Sequence, residues 1–119
     1  MRSDFETIAV SRYDDQILLV TLNRPEVSNA LNTRMGLDLV ELFESLSIDL
    51  QGLPAVIVTG SGSKASCAGG DLKERNGMTD QSWQSQHVIF ERMVRAMMGC
   101  PIPLLAAGCR QQRSLWRRL

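Results

Sequence analysis

The residues with the clearest chemical potential are 66–74, Ser-Cys-Ala-Gly-Gly-Asp-Leu-Lys-Glu. Two consecutive glycines adopt backbone conformations that other residues avoid, and they allow a ligand to approach the main chain closely. Backbone amides presented in this way can stabilise an oxyanion, often the largest single contribution to catalysis. The alternative is a surface turn in which Asp71 caps a helix. Because short glycine motifs are common by chance, the local pattern alone favours this plainer alternative.

The other reactive side chains offer little chemistry. The three cysteines are an odd number without metal-ligand spacing, which argues against a disulfide framework or a zinc site. Cys67 has no basic partner in the pattern, so its interpretation as a nucleophile is disfavoured. The only histidine, His87, falls on the apolar face of a predicted helix. There we expect a packed or partly buried side chain rather than a general base.

Alternating strands and helices must position this segment. Strands are predicted at residues 7–12 and 17–22, joined as a hairpin, at 55–59, and from 104 to 107 as a third buried strand. This order favours an α/β fold with parallel strand pairing.

Two amphipathic helices lie between the predicted strands. The first begins at Asn32 or Thr33, either of which can cap it. Its apolar stripe consists of Met35, Leu39, Leu42, Phe43 and Leu46. The second is capped by Thr79. Its predicted face consists of Trp83, His87, Phe90, Val94 and Met97. We expect Trp83, Phe90 and the methionines Met93, Met97 and Met98 to form core or subunit contacts.

Composition limits the classes of protein. The 119 residues suit one modest domain, and 44% apolar with 22% charged residues are ordinary values for a globular protein. No apolar run is long enough to span a membrane. The first residues lack the apolar core of a signal peptide, so we expect a cytoplasmic protein without a membrane partner.

The last twelve residues differ in character from the rest. Residues 108–119 contain four arginines and no acid, which leaves residues 1–107 with 9 basic and 13 acidic residues. A short basic tail of this kind could bind nucleic acid, but no nucleic-acid motif accompanies it.

Four segments together carry a family resemblance. Leu-Asn-Arg-Pro at 22–25 is followed by Asn-Ala-Leu-Asn at 29–32, then by the apolar strand at 55–60, the glycine segment at 64–73, and Cys-Pro-Ile-Pro at 100–103. In this order and spacing, residues 5–107 resemble the enoyl-CoA hydratase/isomerase (crotonase) family. The resemblance implies a truncated crotonase-like ββα-repeat spiral fold, with residues 1–107 as the N-terminal part of a crotonase-like domain.

The resemblance also implies chemistry on an acyl-CoA thioester, such as hydration of a 2-enoyl-CoA. The Ala68 backbone N–H would be one of two donors to the thioester oxygen. The implied substrate-binding residues are Ala30, Ala68, Gly69, Gly70, Asp71 and Leu72. Coenzyme A would be part of the substrate, with no separate cofactor and no metal. Arg24 and Lys73 could contact CoA phosphates or be ordinary solvated charges. A homo-oligomer is possible within the family.

The chain departs from the family pattern in three places. Ser66 stands where the family usually has phenylalanine, which could loosen the packing behind the glycine segment. The second oxyanion segment is missing, and the six glutamates of the chain match neither catalytic position. Without those carboxyls, efficient hydration is not expected. The alternatives are then a non-catalytic CoA-binding protein, a subunit that assembles with complete relatives, or a nucleic-acid binder using the basic tail.

The basic tail at 108–119 is interpreted as out of frame. If one base is dropped, codons for these residues can encode Val-Ala-Val-Asn-Ser-Ala-Ala-Tyr-Gly-Gly-Gly. This string is close to the family's missing oxyanion segment, and it falls at the expected place.

Overall fold

One sheet organises the part of the chain that the computed structural model describes, residues 4–14, 16–49, 52–61 and 69–106. Its strands lie in the order β1-β2-β3-β4. They are β1 (Ile8–Tyr13), β2 (Ile17–Leu22), β3 (Ala55–Gly60) and β4 (Leu104–Ala106). The β1–β2 pair is an antiparallel hairpin, and the β2–β3 and β3–β4 pairs are parallel. The predicted hairpin and parallel pairing are confirmed.

Helices connect the parallel strands. α1 (Thr33–Ile48) lies between β2 and β3, and the short α2 (Leu72–Asn76) and long α3 (Asp80–Met98) lie between β3 and β4. Such crossovers are what parallel pairs require. The caps at Asn32 and Thr79 are confirmed, since their side chains accept hydrogen bonds from backbone N–H groups three residues on, at 2.9 and 3.1 Å. No helix in these ranges is both long and apolar enough to cross a membrane.

The core lies between α1 and one face of the sheet. All five residues of the predicted α1 stripe are buried, and Leu42 and Phe43 are fully inaccessible. They belong to the same apolar cluster as Val20 of β2 and Val56 of β3. The period of the α1 sequence therefore identified the buried face correctly.

The predicted face of α3 is wrong in its first half. Trp83 is 48% exposed and His87 is also exposed, and their rings stack on each other at 5.1 Å. The buried residues of α3 are instead Gln86 and Met93. Gln86 is drawn inward by hydrogen bonds to α1 and α2, which turns Trp83 and His87 outward. The packed histidine expected from the sequence is thus an exposed one.

The expectation that residues 104–107 form a buried strand is only partly correct. Leu104 packs against the core, but Leu105 is 56% exposed and Ala106 is exposed too, while residue 107 lies outside the described ranges. Leu105 is aligned with Ile57, which in turn is aligned with Leu19. These three residues form an apolar row on the sheet face opposite α1, because side chains alternate along a strand.

A matched pair of leucines on α1 tests the core. We expect Leu42→Ala to lower the free energy of unfolding by about 2–5 kcal/mol, since it opens a cavity at a fully buried site. Leu37→Ala, on the same helix but 37% exposed, should cost about 1 kcal/mol or less. Urea unfolding measures both. Equal losses would contradict this account of the α1 face.

The apolar row, which ends at the exposed Leu105 on the edge strand β4, predicts self-association. We expect Leu105→Lys to reduce the association of the chain, because a charge on an edge strand blocks pairing and apolar contact. Ile48→Lys is the matched control, since Ile48 is 89% exposed at the end of α1. Sedimentation velocity at equal concentrations compares them. An equal effect of both lysines would assign the change to net charge alone.

Candidate active site

Two loop segments are joined beside the end of β2. The Leu31 backbone N–H donates to the Gly69 carbonyl at 2.7 Å, and the Asp71 N–H donates to the Leu31 carbonyl at 2.9 Å. Leu31 and Gly70 thereby form an isolated parallel bridge. The glycine segment is therefore held along its main chain, as if by a short strand pair.

Arg24 ties the same two segments through its side chain. Its Nη1 donates to the Ala30 carbonyl at 2.6 Å, and its Nη2 pairs with Asp71 Oδ2 at 3.1 Å. The side chains of Arg24 and Asp71 are only 17% and 13% exposed. Arg24 is thus neither a freely solvated charge nor an uncommitted cation. Lys73 has an exposed side chain.

Asp71 has a second task as the cap of α2. Its Oδ1 accepts a hydrogen bond from the Glu74 N–H at 3.2 Å, so the plainer interpretation of Asp71 as a helix cap is confirmed. Partial burial alone would raise the pKa of Asp71. Hydrogen bonds from the Glu74 backbone and the Arg24 guanidinium, together with the charge of that guanidinium, outweigh burial and hold the pKa below its ordinary value.

Asn29 is a buried connector that the sequence analysis missed. It is fully inaccessible, and with φ of 57° it adopts a left-handed conformation. Asparagine enters this region more readily than most residues, which is the signal that could have identified it. Its Oδ1 accepts from the Arg24 backbone N–H at 2.8 Å, and its Nδ2 donates to the Ser61 carbonyl at 2.8 Å. The loop before α1 is thereby attached to the end of β3.

A second missed group links all three helices. Glu74 Oε1 accepts hydrogen bonds from the Thr33 backbone N–H at 2.9 Å and from Gln86 Nε2 at 2.6 Å. Gln86 Nε2 also donates to Thr33 Oγ1 at 3.0 Å. Because Gln86 is only 4% exposed, this network is a buried one that fixes α2 against α1 and α3. Gln86 is a polar residue on a predicted helix, and nothing in the sequence around it indicated this buried network.

Most of the implied substrate-binding residues come together. Ala30, Gly69, Gly70 and Asp71 are joined directly or through Leu31, as described above. Leu72 begins α2 with a side chain that is 70% exposed.

The predicted oxyanion donor is the backbone N–H of Ala68. Ala68, together with Ser66 and Cys67, lies outside the described residues, so the role of its amide stays a prediction.

Gly69 requires its glycine. Its φ is +100°, a conformation that residues with a Cβ rarely adopt, and among the described residues nothing lies within 4 Å of a Cβ built there. The requirement is therefore one of backbone conformation and not of space.

Comparison with known proteins identifies the family. A family model described as enoyl-CoA hydratase/isomerase matches residues 12–108. The chain belongs to the enoyl-CoA hydratase/isomerase family. It is 31% identical over 102 residues to YngF of Bacillus subtilis, which is named as an enoyl-CoA hydratase/isomerase. It is 32% identical over 120 residues to the mitochondrial Delta(3,5)-Delta(2,4)-dienoyl-CoA isomerase of Mus musculus.

The fold agrees with the family. The crystal structure of an enoyl-CoA hydratase from Bacillus anthracis superposes with a TM-score of 0.80 at 28% identity, over 85% of this chain and 39% of that one. The matches cover 86% of this chain and 39% of YngF, and 89% of this chain and 36% of the mouse isomerase. The predicted crotonase-like α/β fold is therefore confirmed, for a chain that spans little more than a third of these relatives.

The acid stability of the fold tests the Arg24–Asp71 tie. Asp71→Asn keeps a good helix cap but removes the charge, so we expect a loss of about 1 kcal/mol at pH 7. Because the folded-state pKa of Asp71 is lowered, the unfolded chain binds more protons as pH falls. The stabilisation is complete above the ordinary aspartate pKa of about 3.9 and is lost as pH falls through the lowered one.

Urea unfolding between pH 2 and 7 measures the effect. The difference between the original chain and Asp71→Asn should shrink below about pH 4. Glu91→Gln is the control, since Glu91 is exposed and its carboxyl group forms no hydrogen bond or ion pair within the described ranges. A difference that stays constant down to pH 2 would contradict the ion pair.

Proposed function

We propose that this chain supplies the first half of a site that binds an acyl-CoA thioester and polarises its carbonyl group. The Ala68 N–H would donate to the thioester oxygen, and Ala30 and residues 69–72 would border the bound substrate. Coenzyme A enters as part of the substrate. The donor would stabilise the negative charge that develops on the oxygen as an enolate forms, and hydration of a 2-enoyl-CoA is the favoured reaction.

The observation that carries the proposal is the fixed main chain directly after Ala68. Leu31 holds Gly69 and Asp71 through two backbone hydrogen bonds, and Arg24 adds an ion pair. An oxyanion donor is effective when it is already in place before the reaction, because no energy is then spent on reorganisation. The hydrogen bonds that hold residues 69 and 71, just after the proposed donor, support the proposal in this respect.

The second half of the proposed site would supply the catalytic carboxyl groups, and without them the chain alone is limited to binding. Addition of water needs positioned carboxyls. Glu74, the glutamate nearest the glycine segment in the sequence, already accepts hydrogen bonds from Thr33 and Gln86, and Glu44 pairs with Arg92. We therefore expect the 119 residues to bind a CoA thioester without efficient turnover. Rapid hydration of crotonyl-CoA by the purified chain would contradict this.

The proposal extends to the basic tail at 108–119. The family match ends at residue 108, where the composition also changes, and both facts support an origin in another reading frame. Sequencing the coding DNA from the Pro101 codon to beyond the Leu119 codon tests this. A single insertion or deletion that restores a glycine-rich segment and a downstream glutamate would support it. If the coding DNA confirms the reading frame of residues 108–119 as given, the proposed origin of the tail is wrong. These residues lie outside the described ranges, so nucleic-acid binding stays a prediction.

Two glycines with positive φ provide a matched test of the binding site. We expect Gly69→Ala to weaken the binding of butyryl-CoA by at least about tenfold, because the new Cβ forces the pinned segment out of its conformation. Gly52→Ala is the control. Gly52 has φ of +70° and open surroundings, but it lies between α1 and β3, away from the glycine segment. Isothermal titration calorimetry measures both affinities.

The stability of the two alanine variants separates strain from binding. Both should lose about 1–2 kcal/mol on urea unfolding, since each places a Cβ in the left-handed region. Only Gly69→Ala should lose affinity. If both variants lose affinity together, the loss reflects folding. If the original chain binds neither CoA nor butyryl-CoA, the proposed function is wrong.

A further inference from the structure

A pocket beside the glycine segment has both an apolar wall and a charged rim. Its volume is about 420 Å³. Phe90, Met93 and Val94 of α3 supply the apolar wall, and Arg75 of α2 and Arg95 of α3 supply guanidinium groups. A short acyl chain can pack against such a wall. A guanidinium group at the end of the pocket can then favour acyl chains that have an anionic terminal group.

Arg75 connects this pocket to the proposed site. A Cβ built on Gly70 would lie 2.9 Å from Arg75 Nη2 and 3.0 Å from its Cζ, so the guanidinium lies directly against the Gly70 main chain. Gly70 is two residues from Ala68, the proposed oxyanion donor. A group that extends a few bonds from the thioester carbonyl past Gly70 would therefore meet Arg75.

The arginines of this pocket differ from three others that the structure describes. Arg24, Arg34 and Arg92 each form an ion pair with a carboxylate. Within the described ranges, the guanidinium groups of Arg75 and Arg95 form no hydrogen bond or ion pair. Two uncommitted guanidiniums on one pocket leave their donors available to an anion, and guanidinium geometry suits a carboxylate.

The other charged groups around the pocket do not cancel this preference. Glu91 lines it as well, one helical turn before Arg95, but it is not within ion-pair distance of either arginine. His87 contributes an imidazole. The lining thus has two guanidiniums against one carboxylate, and the balance favours an anionic ligand.

We infer that the acyl group taken by this site ends in a carboxylate, which Arg75 recognises. The inference rests on the proposed function, since it takes the thioester carbonyl to lie near residue 68. The substrate class is a CoA thioester of a short dicarboxylic acid. Arg75 is then a specificity-determining residue, and Arg95 is a second, weaker contact at the rim.

The test compares two thioesters that differ only at the end of the acyl chain. Glutaryl-CoA and pentanoyl-CoA both have five acyl carbons, and the first ends in a carboxylate. We expect the 119-residue chain to bind glutaryl-CoA about tenfold more tightly by calorimetry. Tenfold corresponds to about 1.4 kcal/mol, which is near the lower limit for a hydrogen bond to a charged group.

Three variants assign the preference to Arg75. Arg75→Met should abolish it while leaving pentanoyl-CoA affinity within about twofold, and Arg75→Lys should retain part of it. Arg92→Met is the matched control, since it removes the same charge from α3 but at the ion pair with Glu44. The control should leave the preference unchanged.

The outcomes separate this inference from the proposed function. If both thioesters bind equally, or if Arg75→Met keeps the preference, the inference is overturned and the proposed function stands. If neither thioester nor free CoA binds, the proposed function fails and the inference fails with it. Loss of the preference in Arg92→Met as well would assign it to net charge, which also overturns the role of Arg75.

Discussion

The Arg24 guanidinium is the point on which the site depends. One of its nitrogens donates to the carbonyl of Ala30 and another pairs with the carboxylate of Asp71, which lies 47 positions after Arg24 in the sequence. The partly buried Arg24 is stabilised there by its bonds to Ala30 and Asp71, and Asp71 also caps α2. The backbone hydrogen bonds of Leu31 with Gly69 and with Asp71 join the same two segments through the main chain. Loss of the ion pair would remove the side-chain tie between the loop before α1 and the glycine segment and leave more of the attachment to main-chain hydrogen bonds.

The packing of α1 on the sheet explains the position of this junction, which is the contact between the loop before α1 and the glycine segment. α1 begins directly after Ala30 and Leu31, and its buried stripe fixes the helix on the sheet. β3 ends at Gly60, next to Ser61, whose carbonyl accepts from the buried Asn29. The start of α1 and the end of β3 therefore approach each other at one end of the strands of the sheet. It is the end at which the carboxyl ends of the parallel strands β2 and β3 lie side by side, a common position for ligand sites in α/β folds.

The sequence predicted elements better than it predicted contacts. β2 occupies the residues expected from its apolar run, and α1 buries the stripe expected from its period, because both signals arise from simple periodic burial. The predicted face of α3 included Trp83 and His87 but not Gln86, which is buried. Its burial depends on Glu74 and Thr33, which lie 12 and 53 residues away, and no local pattern encodes such a partnership. The same holds for Arg24, whose partners appear only once the loop before α1 and the loop before α2 are adjacent.

Backbone strain marks the junction independently of the side chains. Ser28, Asn29 and Gly69 all have positive φ, and they lie in the two segments that Arg24 joins. A left-handed conformation costs a residue with a Cβ about 1–2 kcal/mol, so two consecutive ones persist only where surrounding bonds impose them. Here the imposing bonds are visible, since Asn29 is held at both ends of its side chain and Gly69 through its carbonyl. The fold thus uses hydrogen bonds at this junction to hold unfavourable backbone geometry, which is the arrangement expected where main-chain groups, rather than side chains, are to meet a ligand.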